Sequence, residues 1–358
     1  MINVTKSYLP PLEDYIKYLK KIWSTNWLTN HGPLVQELEN KLSEYLEVPY
    51  VHYVSNGTIA LQIALHALDI NGEVITTPFS YVATCNSILW EHCTPVFVDI
   101  NPKTLCIDPE KIEQAITEHT QAILPVHVYG FPADVEKILS IARRYQLKVI
   151  YDAAHAFGCK LGDSSLLSYG DLATLSFHAT KIFHSVEGGA IIASTSEMSD
   201  RINKIKSFGH LGDEYFMLGI NGKNSEFHAA MGLCLLPETP KLIESRRLTC
   251  KLYDQALVDL DIIFSNVPEN FTHNHAYYPV IFKNEEQLLR VKKSLNENSI
   301  NPRRYFYPSL NRLSFLPSEQ SCPVSEDIST RILCLPLYHD LRETEIERIS
   351  NLIHSALV

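Results

Sequence analysis

What this chain of 358 residues lacks removes several classes of function. Its eight cysteines are scattered singly, with no Cys-x-x-Cys pair and no zinc-like spacing. That suggests reduced thiols in the cytoplasm, mostly buried as small apolar residues. No uninterrupted apolar stretch is long enough to span a bilayer, and the start, Met1-Ile2-Asn3-Val4-Thr5-Lys6, has no apolar signal core. A soluble cytoplasmic protein is expected. Positive charge is scarce: 31 Lys and Arg against 41 Asp and Glu leave a net charge of -10. That argues against a general binder of nucleic acid or anionic membranes. No Gly-x-Gly-x-x-Gly follows a strand-like run, so no dinucleotide-binding Rossmann domain is expected. His127, His155, His178 and His184, with Asp152 nearby, show no compact ligand motif, so no metal is expected. There is no internal repeat and no low-complexity tract.

What is present reads as an α/β protein. Hydrophobic content of 45% and charged content of 20% are ordinary for a globular chain, and the length suits about two domains, each with its own core. Helical spacing over 12–23 and 34–46 marks an N-terminal arm. Strand-like runs at 73–77, 95–99, 122–126, 149–152, 173–177 and 190–193 then alternate with helical segments at 58–68, 109–116 and 133–145. Such alternation predicts a mostly parallel sheet covered by helices on both faces. A composition shift at Leu236-Pro237-Glu238-Thr239-Pro240 predicts a hinge. The expected division is therefore an arm and large domain over 1–236 and a smaller C-terminal α/β domain over 237–358.

Lys181 carries the most chemistry. It closes Ser176-Phe177-His178-Ala179-Thr180-Lys181, after the apolar run 172–177, and Glu187-Gly188-Gly189-Ala190 follows. A lysine amine is a nucleophile only where its surroundings keep it partly neutral, and burial at a strand end does so. Its commonest use is a Schiff base with an aldehyde cofactor, above all pyridoxal 5'-phosphate. That cofactor needs a carboxylate against its ring nitrogen. Asp152 ends an apolar strand, where open α/β sheets place ligands, although an Asp capping a turn is the competing reading. His155 could reach the ring oxygen or sit satisfied in the core. Ser55-Asn56-Gly57-Thr58 opens a helical run and could hold a phosphate, as could Ser176, or be an ordinary capped helix. Tyr81 offers an aromatic face or plain core packing.

Together these segments resemble the DegT/DnrJ/EryC1/StrS sugar aminotransferases, within the fold-type I pyridoxal phosphate enzymes. The resemblance starts at Trp27-Leu28-Thr29-Asn30-His31-Gly32-Pro33 and runs through Ser55-Asn56-Gly57-Thr58, Thr77-Pro78-Phe79-Ser80-Tyr81 and Pro125-Val126-His127-Val128-Tyr129-Gly130. It continues through Asp152-Ala153-Ala154-His155, the lysine segment and Gly219-Ile220-Asn221-Gly222-Lys223-Asn224. It implies an aspartate aminotransferase-like fold. Lys181 would hold the cofactor and move protons, Asp152 would face the ring nitrogen, and His155 the ring oxygen. Gly57, Thr58 and Ser176 would contact the phosphate, Tyr81 would stack, and Asn221 would reach the phosphate of a neighbouring subunit. Thr29, His127, Tyr129, His184, Arg303 and Tyr305 fall where the family builds its sugar-nucleotide pocket.

The same resemblance implies a ping-pong transamination from L-glutamate in a homodimer with shared active sites. The form Ser-Phe-His-x-x-Lys before Glu-Gly-Gly is similar to members that aminate C4 of a 4-keto-6-deoxy sugar, notably those making dTDP-4-amino-4,6-dideoxyglucose for surface polysaccharide. Where many members carry a longer glycine-containing loop, this chain has Ile182-Phe183-His184-Ser185-Val186. Two alternatives stay open: a C3 aminotransferase on a 3-keto nucleotide sugar, and a non-catalytic cofactor-binding regulator, which would be expected to carry a DNA-binding extension.

Overall fold

The computed structural model describes residues 1–260, 268–316 and 320–357. The predicted C-terminal domain therefore includes short stretches, 261–267, 317–319 and 358, that lie outside the described residues. A seven-stranded sheet forms the centre. Its strands are β1 (Tyr50–Val54), β2 (Glu73–Thr76), β3 (Thr94–Phe97), β4 (Thr120–Leu124), β5 (Lys148–Asp152), β6 (Leu172–Ser176) and β7 (Gly189–Ala193), in the order β1-β7-β6-β5-β4-β2-β3. Only β7 runs against its neighbours; the remaining pairings are parallel.

The pleat explains why these runs read as almost wholly apolar. Successive side chains point to opposite faces. Ile75, Ile123, Val149 and Ile192 enter one core, while their neighbours Val74, Leu124, Ile150 and Ile191 enter another. Both faces are buried, so no polar alternation survives. The helix Gly57–Ala67 packs across β6 and β7 on one side, and Pro33–Leu46 supplies Leu34, Val35, Leu38 and Leu42 to the other.

Several elements fall outside the sequence-based expectation. The strand β1 and the helix Val82–Trp90 carry no strong periodicity and were not predicted. The expected hinge at residues 236–240 is helical: a 3-10 turn over Leu236–Glu238 runs into the helix Thr239–Ala256. Its prolines sit in the first turn of each segment, where a missing N–H costs nothing.

A further core gathers Tyr253, Val280, Leu288, Val291, Leu333 and Ile349 around a two-stranded sheet of β8 (Tyr278–Ile281) and β9 (Ile332–Leu335). Ile2 belongs to this core too, because Ile2–Asn3 pairs with Ile300–Asn301. The first residues of the chain are thus tied to its last third.

Candidate active site

The carboxyl ends of β1, β2, β5 and β6 converge on one cavity of about 630 Å³, a size ordinary for a small-molecule site. Asp152 is the last residue of β5 and is almost fully buried. Thr84 Oγ1 donates to its Oδ2 at 2.7 Å, and the Ala154 N–H donates to Oδ1 at 3.1 Å. Because Thr84 spends its hydroxyl proton on the carboxylate, Ser80 Oγ, 2.7 Å away, must donate to Thr84. Burial pushes the Asp152 carboxyl up from its usual range, and those two donors, with the charge of Lys181, only partly oppose it. A cation facing the acid would reverse the balance: at ~4 Å and an effective dielectric near 20 a unit charge is worth about 4 kcal/mol, or about three pKa units.

Lys181 lies on the segment between β6 and β7. Phe183 locks this segment, stacking on Phe157 at 4.5 Å and meeting Phe177 edge-on at 4.8 Å. Burial pulls the Lys181 amine down to about 8, against an upward pull from Asp152 and a smaller one from Tyr81. The amine is thereby partly neutral near physiological pH, which a Schiff-base lysine requires.

Beside this pair, the helix Gly57–Ala67 points its first turn into the cavity. Asn56 caps it by accepting the Ile59 N–H at 2.9 Å, leaving the earlier N–H groups free for an anion. Close approach explains two glycines. A Cβ on Gly57 would meet Ser176 Cβ at 2.9 Å, and one on Gly189 would meet Asn56 O at 2.6 Å. Bare backbone at both positions lets the loop after β1 settle against the ends of β6 and β7.

The cavity also holds His155, Tyr81, Tyr277, Arg303, Tyr305 and Phe306. His155 Nδ1 accepts the Tyr129 N–H at 3.2 Å, so Nε2 carries the proton of the neutral ring. Burial, then the charge on Lys181, keeps that ring neutral far below its usual range. Tyr81 is 60% exposed at the rim. Arg303 is exposed there with Tyr305 5.5 Å beneath it, whereas Arg304 turns away to Glu285 at 2.8 Å and to Thr330 O.

Of the residues expected from sequence, Gly57, Thr58, Tyr81, Asp152, His155, Ser176, Lys181, Arg303 and Tyr305 line the cavity together. Four expected substrate contacts do not, and three of them are buried. His127 is fully buried, accepts the Ala133 N–H and stacks on Tyr151 at 4.6 Å, and burial lowers it to about 3. His184 is buried, donating to Tyr8 O at 2.9 Å and accepting from the Val186 N–H. Tyr129 is fully buried, its hydroxyl donating to Tyr305 O, so it supports the rim from behind. All three lie beyond strand ends, where the pleat no longer sets a side chain's direction, and packing turned them into the core. Thr29 and Asn221 are exposed and do not line their own chain's cavity. Sequence reading missed Thr84, Ser80 and Tyr277. The i, i+4 spacing of Ser80 and Thr84 at a helix start was the one usable signal.

The DegT/DnrJ/EryC1/StrS aminotransferase family matches residues 12–354. The chain belongs to that family. It is 45% identical over 359 residues, 98% of each chain, to the dTDP-4-amino-4,6-dideoxy-D-glucose transaminase of Shigella dysenteriae. Its fold matches DesI, solved in the presence of its TDP-sugar product, with a TM-score of 0.94 and 30% identity, covering 99% of this chain and 93% of that one. It also matches NtdA of Bacillus subtilis, solved with bound cofactor PMP, with a TM-score of 0.90 and 30% identity, covering 97% of this chain and 82% of that one.

As a member of this aminotransferase family, the protein uses pyridoxal phosphate. The residues present fit the group: a buried acid held by two donors, a lysine amine brought near neutrality, and a capped helix start with bare N–H groups. Among the described residues, no three His, Cys, Asp or Glu side chains are gathered so as to hold a metal ion, and no helix is long and apolar enough to cross a membrane.

Proposed function

We propose that this aminotransferase moves an amino group from L-glutamate to C4 of dTDP-4-keto-6-deoxy-D-glucose. The products are 2-oxoglutarate and dTDP-4-amino-4,6-dideoxy-D-glucose, a sugar destined for surface polysaccharide such as O-antigen. The observation that carries the substrate is 45% identity across 98% of a relative bearing that activity in its name. The cavity supports the chemistry.

When bound, pyridoxal phosphate supplies a carbonyl that bonds the amino group and a ring that accepts the electron pair of an opened C–H bond. In this reading Lys181 is the residue that would hold the cofactor, and its amine, when free, would take the proton from the donor's α-carbon. Asp152, held by Thr84 and Ala154, fixes the proton on the ring nitrogen. Gly57, Thr58 and Ser176 take the phosphate, with His155 and Tyr81 against the ring. Arg303, the exposed cation of the rim, meets the anionic part of the substrate.

The working unit in this reading is a cytoplasmic homodimer with shared active sites. Supporting it, Asn221 lies exposed beside Leu218 and Ile220, and Thr29 beside Trp27 and Leu28, all four apolar side chains being bare to solvent in the single chain.

The test is a half-reaction. Glutamate should bleach the visible band of the loaded protein, and dTDP-4-keto-6-deoxy-D-glucose should restore it stoichiometrically. Bleaching without restoration keeps the amino transfer and moves the acceptor to a 3-keto or differently activated sugar. A band untouched by glutamate would mean a non-catalytic binder.

A further inference from the structure

Lys181 Nζ has one hydrogen-bonding side chain in reach among the described residues: the hydroxyl of Tyr277, 3.4 Å away. Tyr277 comes from the far side of the chain, just ahead of β8, and its placement is over-determined. Asn274 Nδ2, buried, donates to His155 O at 2.8 Å and Phe157 O at 3.0 Å, while its Oδ1 accepts the Ala276 N–H. That clamp ties the segment before Tyr277 to the loop after Asp152. The ring is then wedged edge-on against His155 at 4.9 Å and Tyr305 at 5.7 Å, and tilted on Tyr129 at 5.4 Å. A phenylalanine would fill the same aromatic slot and leave Nζ without a partner.

Resting on the role given to Lys181 above, we propose that the Tyr277 hydroxyl is a positioning group that holds the Lys181 amine over the reacting carbon. The physical need is plain. A lysine stem has four rotatable bonds, and an amine that must reach one proton loses rate steeply when misplaced. Asp152 approaches from the β5 side and does not hydrogen-bond Nζ, so it tunes the charge without fixing the direction. Burial keeps the phenol protonated, which makes it a neutral partner throughout the pH range of interest. The charged and titratable groups around the pair are Asp152, Tyr81 and His155 facing Lys181, and Cys334, Arg246, Asp152, Tyr129 and Tyr305 facing Tyr277.

The experiment compares wild type with Tyr277→Phe by two readouts. In cofactor-free protein, the pH dependence of Lys181 acylation is followed by mass spectrometry. Donation from the ammonium to a phenol oxygen favours the charged form, so removing that oxygen should lower the midpoint, from about 8, by about half a unit. In loaded protein, the glutamate half-reaction should slow about tenfold, with a larger isotope effect for α-deuterated glutamate and donor affinity within about twofold. An unchanged midpoint together with an unchanged rate would overturn the proposal, leaving Tyr277 as packing. Should Tyr277→Phe fail to fold, 3,5-difluorotyrosine at 277 keeps the shape and weakens the acceptor. A lowered midpoint then supports the proposal and an unmoved one overturns it. Failure of the underlying reading looks different: wild type itself would show no glutamate half-reaction.

Discussion

The floor of the pocket and its rim differ in where their residues come from. Gly57, Asp152, Ser176 and Lys181 each lie at or within five residues of a strand end of one sheet, and their places follow from strand order. The rim is assembled from Tyr81 and from residues 277–306, beyond the long helix Thr239–Ala256. Its parts are held by contacts no local motif announces: the Tyr129 hydroxyl on Tyr305 O, and the backbone pairing of Arg303 with Cys334 in β9. In the floor Asp152 is buried and Lys181 half-buried, whereas Tyr81 and Arg303 of the rim are exposed, so burial tunes charge below and solvent screens it above.

Substitutions should separate the two halves by size and kind of effect. Lys181→Ala in the floor should abolish turnover, a loss of more than about a thousandfold, because among the described residues no other amine lines the cavity. Measurable steady-state transamination by that variant would remove Lys181 from its role. Asp152→Asn should still bind cofactor yet lose about a hundredfold or more in kcat, since an amide cannot hold a proton on the ring nitrogen. Near-normal rates would count against the pairing. In the rim, Arg303→Ala should raise KM for the nucleotide sugar about tenfold with little change in kcat, measured at low ionic strength where an exposed charge pair is least screened. Arg304→Ala is the matched control: its guanidinium is spent on Glu285 and Thr330 O, so KM should hold while the melting temperature falls. Equal KM effects at both positions would erase the distinction between rim and scaffold.

The smallest effect belongs to a residue that only looked functional. His127→Phe keeps a flat ring against Tyr151, so KM should stay within about twofold of wild type. Any cost should appear as stability, on the order of 1 kcal/mol for the lost acceptor of the Ala133 N–H. A tenfold rise in KM would return His127 to the substrate pocket.

The amino-acid sequence by itself determined the α/β class, the six predicted strands within a few residues and the floor of the site. Those features rest on short-range physics: apolar runs buried on both faces, a capped helix start after β1, an acid at the end of β5 and a lysine just past β6. Strand β1 stayed hidden because His52 interrupts its apolar run, and the helical state of residues 236–240 stayed hidden because prolines at a helix start resemble those of a linker. Only the tertiary structure decided which side of the backbone each strand-end side chain faces. It buried His127, His184 and Tyr129 behind the wall, selected Arg303 over Arg304, and brought Tyr277 across 96 residues to the lysine. The reason is geometric: a residue beyond a strand's end is free of the pleat, and its direction is set by what the distant chain packs against it.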